Sequence, residues 1–159
     1  MSVRSKTEPK PLASEMKIGA IVVEKGVSTL PRVFLADDQE EVLQTVASML
    51  NDEFQIVGLA QDGSDVLKLL PGLSPDVLVL DILMPVMNGI ETVQHLNASG
   101  SSTRVIFLTV HDDPDFLYAA MAAGAQAYVL KPHMATDLVP ALWNVLAGHT
   151  FVSPSMHLH

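Results

Sequence analysis

Three aspartates, a threonine and a lysine stand at equivalent places in this chain, at the ends of short apolar runs. Asp37 and Asp38 follow RVFLA, Asp81 follows DVLVL, Thr109 closes RVIFLT and Lys131 closes AYVLK, while Gln61 and Asp62 follow FQIVGLA. If these runs are neighbouring strands of one parallel sheet, their ends share a rim. Ligands of open parallel sheets bind there, outside the carboxyl ends of the strands. Carboxylates crowded onto such a rim repel one another and do not all ionise easily unless a cation sits among them. A hard divalent ion resolves the conflict. Magnesium, or manganese in its place, takes oxygen from a few carboxylates, a backbone carbonyl and waters, and completes its shell with an oxygen of a phosphoryl group. The chemistry this set can carry is phosphoryl transfer to a carboxylate, with one Asp attacking phosphorus, the others holding the metal, and Lys and Thr stabilising charge on the transferred oxygens. Asp81 is the nucleophile by position, because it ends the presumed central strand and precedes ILMPVMNG, a Pro- and Gly-containing turn that leaves its carboxylate accessible. Asp37 and Asp38 are the metal-holding pair, with the backbone carbonyl of Leu83 as a further ligand.

The elements that must position these groups are legible as alternating patterns. The five apolar runs barely alternate and are rich in Val, Ile and Leu, as strands buried on both faces are. Between them lie amphipathic stretches with spacings of three and four: Val42, Val46, Met49 and Leu50; Val66, Leu67, Leu69 and Leu70; Ile90, Val93 and Leu96; Phe116, Leu117, Ala120 and Met121; Leu138, Leu142, Val145 and Leu146. Each set shares one helix face. Asp113-Pro114 supplies a helix start, and Gly124 and Gly148 stand where helices should stop. Pro140 fits the last helix only if that helix begins near Thr136, which keeps the proline close to the first turn. Five strands alternating with five helices imply an α/β fold, a parallel sheet with right-handed crossovers and helices on both faces.

Composition bounds the rest. With 48% apolar and 17% charged residues among 159, the chain can bury one ordinary core. A net charge of −9 argues against direct nucleic-acid binding by this chain, since that affinity comes from clustered Lys and Arg. The absence of cysteine excludes disulfides, thiolate metal sites and cysteine nucleophiles, and with no signal-like or membrane-spanning run the expected location is the cytoplasm. Residues 1–31 are an N-terminal extension whose first fifteen residues are too polar to order. Within it, MKIGAIVV at 16–23 reads as an extra strand, a partner-binding segment or sequence upstream of the true start. Residues 32–149 form the domain, and 150–159 a tail or linker remnant.

The acidic pair in LADDQ, the Asp in LDILMPVMNG, the Thr in FLTVHDD and the Lys-Pro in YVLKP, in this order and spacing, resemble the receiver domains of two-component response regulators. The resemblance runs from about Arg32 to Gly148 and extends to receivers of the NarL/FixJ type, which precede a helix-turn-helix domain. It implies a flavodoxin-like doubly wound five-stranded sheet in the order 2-1-3-4-5. It further implies that Asp81 accepts the phosphoryl group from a sensor histidine kinase or phosphotransfer protein, that Asp37 and Asp38 bind magnesium, and that Lys131 pairs with the phosphoryl oxygens. Thr109 becomes the switch hydroxyl and Tyr128 the aromatic that turns inward with it. The Lys131–Pro132 bond is cis in many receivers, and a cis bond is expected here. The altered face, helix 4, strand 5 and helix 5, would meet a partner or a second copy. Leu83, Val110 and His111 occupy the family's rate-tuning positions, and the larger residues there imply a long-lived phosphorylated state.

Plainer readings hold elsewhere. Asp62 is a turn former, Asp112 and Asp113 cap the next helix, and His111 is structural. Trp143 packs or lies at an interface, Met84 and Met87 fill gaps, and His157 and His159 belong to the tail. Two other functions compete. A magnesium-dependent aspartyl-phosphate phosphatase of the haloacid dehalogenase type would need a second Asp two positions after the nucleophile, where Leu83 stands. A flavin-binding flavodoxin would need a Gly/Ser/Thr-rich loop after the first strand, where Asp37 and Asp38 would repel the flavin phosphate.

Overall fold

A computed structural model describes residues 29–156. In chain order the elements are β1 (Arg32–Ala36), α1 (Glu40–Leu50), β2 (Gln55–Ala60), α2 (Gly63–Leu73), β3 (Val77–Leu80), α3 (Gly89–Ala98), β4 (Arg104–Thr109), α4 (Pro114–Ala122), β5 (Ala127–Leu130), a 3-10 turn (Lys131–His133), α5 (Met134–Leu146) and β6 (Phe151–Val152). The sheet is parallel throughout, in the order β2-β1-β3-β4-β5-β6. The order reverses between β1 and β3, which places the switch point beside Asp37 and Asp81. The readings of 1–15, 16–23, His157 and His159 lie outside the described residues.

Side-chain alternation along the strands divides the interior into two layers. Phe34, Leu78, Phe107 and Tyr128 face α2, α3 and α4, while Val33, Leu35, Val79, Ile106 and Val129 face α1 and α5. Both faces are therefore apolar, and the near-continuous Val/Ile/Leu runs follow from that.

Three expectations need correction. The sheet has six strands, not five. Gly148 at φ 90° turns the chain back after α5, and Phe151–Val152, aromatic and β-branched, pair with the open edge of β5 in what was read as a tail. The peptide bonds are all trans among the described residues, Lys131–Pro132 included. Trans is the lower-energy isomer, and it lets Pro132 sit in the short turn that leads into α5. Finally, α5 begins at Met134 rather than near Thr136, so Pro140 lies in its interior, as Pro71 does in α2. Both prolines are exposed, so the ring and the lost backbone bond fall on the solvent side, where water can serve the freed carbonyl.

Two glycines bring loops close to the rim. A Cβ on Gly89 would collide with the Asp81 carbonyl, and one on Gly63 would collide with Thr92 and the Met87 carbonyl. Their absence of side chains lets the starts of α3 and α2 press against the loop that follows β3.

Candidate functional site

The ladder carries the rim residues one step past the strands. Asp37 N–H donates to the Ala60 carbonyl at 3.0 Å and Asp81 N–H to the Ala36 carbonyl at 3.1 Å, which fixes the backbones of both aspartates side by side. Their side chains are nearly buried, 4% exposed for Asp37 and 9% for Asp81, whereas Asp38 is open to solvent. Carboxylate oxygens of all three lie within 4.8 Å of one another. Lys131 reaches in from the end of β5, its Nζ 2.7 Å from Asp37 Oδ2 and 2.8 Å from Asp81 Oδ2. The remaining oxygens are held by backbone, Asp37 Oδ1 accepting from Gln39 N–H at 2.9 Å and Asp81 Oδ1 from Ile82 N–H at 2.6 Å.

Three carboxylates against one ammonium leave an excess of negative charge in a partly desolvated pocket. Burial lifts the Asp37 carboxyl above its ordinary range; the bonds from Lys131 and Gln39 offset part of the rise, and the Asp81 charge adds to it. Burial alone would lower the Lys131 ammonium, but the bonds to Asp37 and Asp81 outweigh it and hold the group above its usual value, so it stays protonated. The donor set fits a hard divalent cation: all-oxygen, crowded, and unfavourable while uncompensated. Leu83 belongs to the same rim, and among the described residues no donor reaches its carbonyl.

Thr109 ends β4 and is fully buried. Its Oγ1 accepts from His111 N–H at 3.4 Å and makes no hydrogen bond to Asp81 or Lys131 among the described residues. Tyr128 is also fully buried, and its hydroxyl donates to the His111 carbonyl at 2.6 Å. Both switch candidates therefore grip the backbone of one residue. Burial, and then the charges of Asp81, Asp112 and Asp113, push the Tyr128 phenol well up, so it remains a donor. The His111 ring stacks on Phe116 at 4.6 Å.

Most of the plainer readings match the geometry, although of the pair Asp112-Asp113 only Asp113 caps α4. Asp62 accepts from Asp65 N–H and caps α2, and Asp113 accepts from Asp115 N–H and caps α4, both at 2.8 Å. Trp143 packs on Phe54 with centroids 5.0 Å apart and donates to Glu53 Oε1 at 3.0 Å, joining α5 to α1. Met84 is buried in the core. Met87 is half-buried and its carbonyl accepts from Gly63 N–H. Leu83, two residues after Asp81, and Val110, directly after Thr109, are both exposed.

Two features escaped sequence reasoning. Val86 has φ 69° and is 82% exposed, at the centre of a turn closed by Met87 N–H to the Pro85 carbonyl at 2.7 Å. Ser153, in the segment read as a tail, is 1% exposed, its Oγ accepting from Leu130 N–H at 3.0 Å and donating to Asp137 Oδ2 at 2.8 Å. The Phe-Val pair after Gly148 was the available signal for the latter.

Comparison with known proteins agrees with this geometry. Residues 33–142 match the family described as Response regulator receiver domain. Response regulator GacA of Pseudomonas aeruginosa is 35% identical over 127 residues, 79% of this chain and 59% of that protein. Transcriptional regulatory protein LiaR of Bacillus subtilis is 36% identical over 113 residues, 70% of this chain and 54% of the relative. The chain spans about three fifths of the length of the curated relatives it matches. Among solved structures, a LuxR-family two-component response regulator from Aurantimonas sp. SI85-9A1 superposes with TM-score 0.77 at 28% identity, covering 80% of this chain and 93% of that one. The signal receiver domain of NarL from Mycobacterium tuberculosis gives TM-score 0.72 at 31% identity, covering 76% and 98%. With its strand order, acidic rim and sequence match in agreement, the chain belongs to the receiver-domain family of two-component response regulators.

Proposed function

We propose that Asp81 accepts a phosphoryl group from the phosphohistidine of a sensor kinase or phosphotransfer protein, and that the resulting change in the rim is passed to an output partner. The observation that carries this reading is the position of Lys131 Nζ, bonded at once to Asp37 and Asp81 inside a cluster of three carboxylates. In the transfer an Asp81 oxygen bonds to phosphorus as the bond from phosphorus to the donor imidazole nitrogen breaks. The electron pair leaves with that nitrogen, which then carries a solvent proton. Asp37, Asp38 and Asp81, with the Leu83 carbonyl, would hold magnesium, which when bound neutralises the carboxylates and withdraws charge from the phosphoryl oxygens.

Lys131 is poised to leave the Asp81 oxygen for a phosphoryl oxygen, an exchange of one charge-assisted bond for another. Thr109 supplies a second donor by turning its hydroxyl from the loop toward the phosphoryl group. Because Thr109 and Tyr128 both hold His111, a shift of the β4–α4 loop is felt on the face formed by α4, β5 with β6 on its edge, and α5. That face would meet the output partner or a second copy. Work in the cytoplasm, without direct nucleic-acid contact by this chain, is part of the same reading; no helix among the described residues is long and apolar enough to cross a membrane. The phosphatase alternative loses its second acid to Leu83, and the family match does not support it.

Intact-mass measurement after incubation with acetyl phosphate and magnesium tests the proposal. The wild type should gain one phosphoryl adduct and Asp81→Asn none. An adduct on Asp81→Asn, or none on the wild type, overturns it.

A further inference from the structure

The segment after α5 is attached by few but specific contacts. Phe151 N–H donates to the Gln126 carbonyl at 3.1 Å and Ser153 N–H to the Tyr128 carbonyl at 2.9 Å, and these seat β6 on the edge of β5. A two-residue strand on its own is marginal, so the side chains decide whether it stays. Ser153 Oγ accepts from the N–H of Leu130, the residue before Lys131, and its hydroxyl donates to Asp137 Oδ2 in the first turn of α5. Met156, 7% exposed, closes the segment by packing into the layer that holds Tyr128, Leu130, Leu117 and Ala120.

The register matters. Val152 stands opposite Tyr128 and packs in the same layer, so it flanks Tyr128 on the side where the sheet would otherwise end, and Met156 adds to the same apolar layer. While the segment is docked, the ring is enclosed with its hydroxyl on the His111 carbonyl. An outward swing of the ring over that edge would have to displace the segment.

We propose that residues 151–156 form a strap, pinned by Ser153, that positions the Lys131-bearing end of β5 and keeps Tyr128 turned inward, so that docking of the strap and the inward state are one equilibrium. The inference rests on the reading of Asp81, Thr109 and Tyr128 given above and adds the element that reports their state. Ser153 and Asp137 act here as positioning residues. A phosphoryl group on Asp81 gives Lys131 and Thr109 a common acceptor and favours the arrangement in which the strap is docked. By reciprocity, a docked strap favours phosphoryl acceptance.

Hydrogen exchange of the full chain, with and without acetyl phosphate and magnesium, reads this directly. In the wild type, the amides of Phe151, Ser153 and Met156 should exchange more slowly once the adduct forms, and in Asp81→Asn they should not change. In Ser153→Ala the strap should exchange rapidly in both conditions, and phosphoryl gain should slow about fivefold, the factor matching the loss of one net hydrogen bond. Asp137→Asn keeps an acceptor for the Ser153 hydroxyl and should retain near-wild-type gain, whereas Asp137→Ala, which leaves that hydroxyl without its acceptor, should slow gain as Ser153→Ala does. Intact mass on the same samples separates the two claims. An adduct with unchanged strap exchange overturns the strap alone, whereas no adduct on the wild type overturns the Asp81 reading and the strap with it. The wild-type comparison stands whether or not Ser153→Ala folds.

Discussion

Asp37 carries the cost of the site in its metal-free state, and that cost has a sign that can be measured. Its carboxyl is lifted above its ordinary value of 3.8, chiefly by burial, so its ionised form is disfavoured in the fold relative to the unfolded chain. The penalty is absent below the unfolded value and grows as pH rises through the folded one. Asp37→Asn should therefore raise the Tm of metal-free protein at pH 7, and the advantage should vanish as pH falls toward 3.8. Thermal melts across that range check it; an advantage independent of pH would show that charge is not the cause. At the same scale, Val110 directly follows Thr109 and Leu83 stands two residues after Asp81, both exposed, and if their side chains screen a phosphoryl group on Asp81 from water, trimming them should speed its loss. Val110→Ala with Leu83→Asn should shorten the life of the adduct several-fold in a time course of intact mass, and an unchanged decay would remove the shielding argument. The aspartates, Thr109 and Lys131 were legible because each sits directly after an apolar run, and strand ends have only one place to go. The direction of the Thr109 hydroxyl was not, because it depends on a hydrogen bond from His111 within the folded loop.

At the level of elements, the alternation of runs and amphipathic stretches specified β1 to β5 and α1 to α5, because both kinds of element must bury apolar faces against each other. What local pattern could not reveal was what tertiary contact decides. Two residues of β6 are too few to announce a strand, and their pairing depends on an edge formed by residues more than twenty positions earlier. Pro140 was placed near a helix start on propensity, yet α5 tolerates it in its interior because its ring faces solvent. The loop between β3 and α3 is the third such case. Val86 holds φ 69° on a β-branched side chain, a conformation that costs on the order of 1–3 kcal/mol outside glycine, and its exposed side chain offers little packing in return. Val86→Gly removes the strain at a backbone-entropy cost of roughly 0.5–1 kcal/mol, so stability should rise by about 1 kcal/mol in urea denaturation. A fall instead would mean that the Val86 side chain has contacts worth more than the strain.

Taken as a whole, the molecule gathers on one rim charges that its unfolded chain keeps far apart, and this makes any cation that the three carboxylates hold a ligand of the folded state alone. Asp37 and Asp81 become neighbours only when β1 and β3 pair, and Lys131 joins them only when β5 completes the order. A ligand bound only by the native state stabilises it by an amount that grows with the logarithm of its concentration once the site is saturated. Above saturation, each tenfold increase in magnesium should therefore add about 1.4 kcal/mol, or roughly 5 °C of Tm for a domain of this size. With a net charge of −9, part of any rise could come from general screening, and matched ionic strength separates the two. Sodium chloride at equal ionic strength should give a small, saturating increase, and Asp38→Asn should respond to both salts alike, because it keeps nearly all of the overall charge while losing one oxygen anion of the cluster. Equal responses of the wild type to magnesium and sodium would mean that the three carboxylates hold no ion, and phosphoryl transfer to Asp81 would then lack the charge neutralisation on which its chemistry depends.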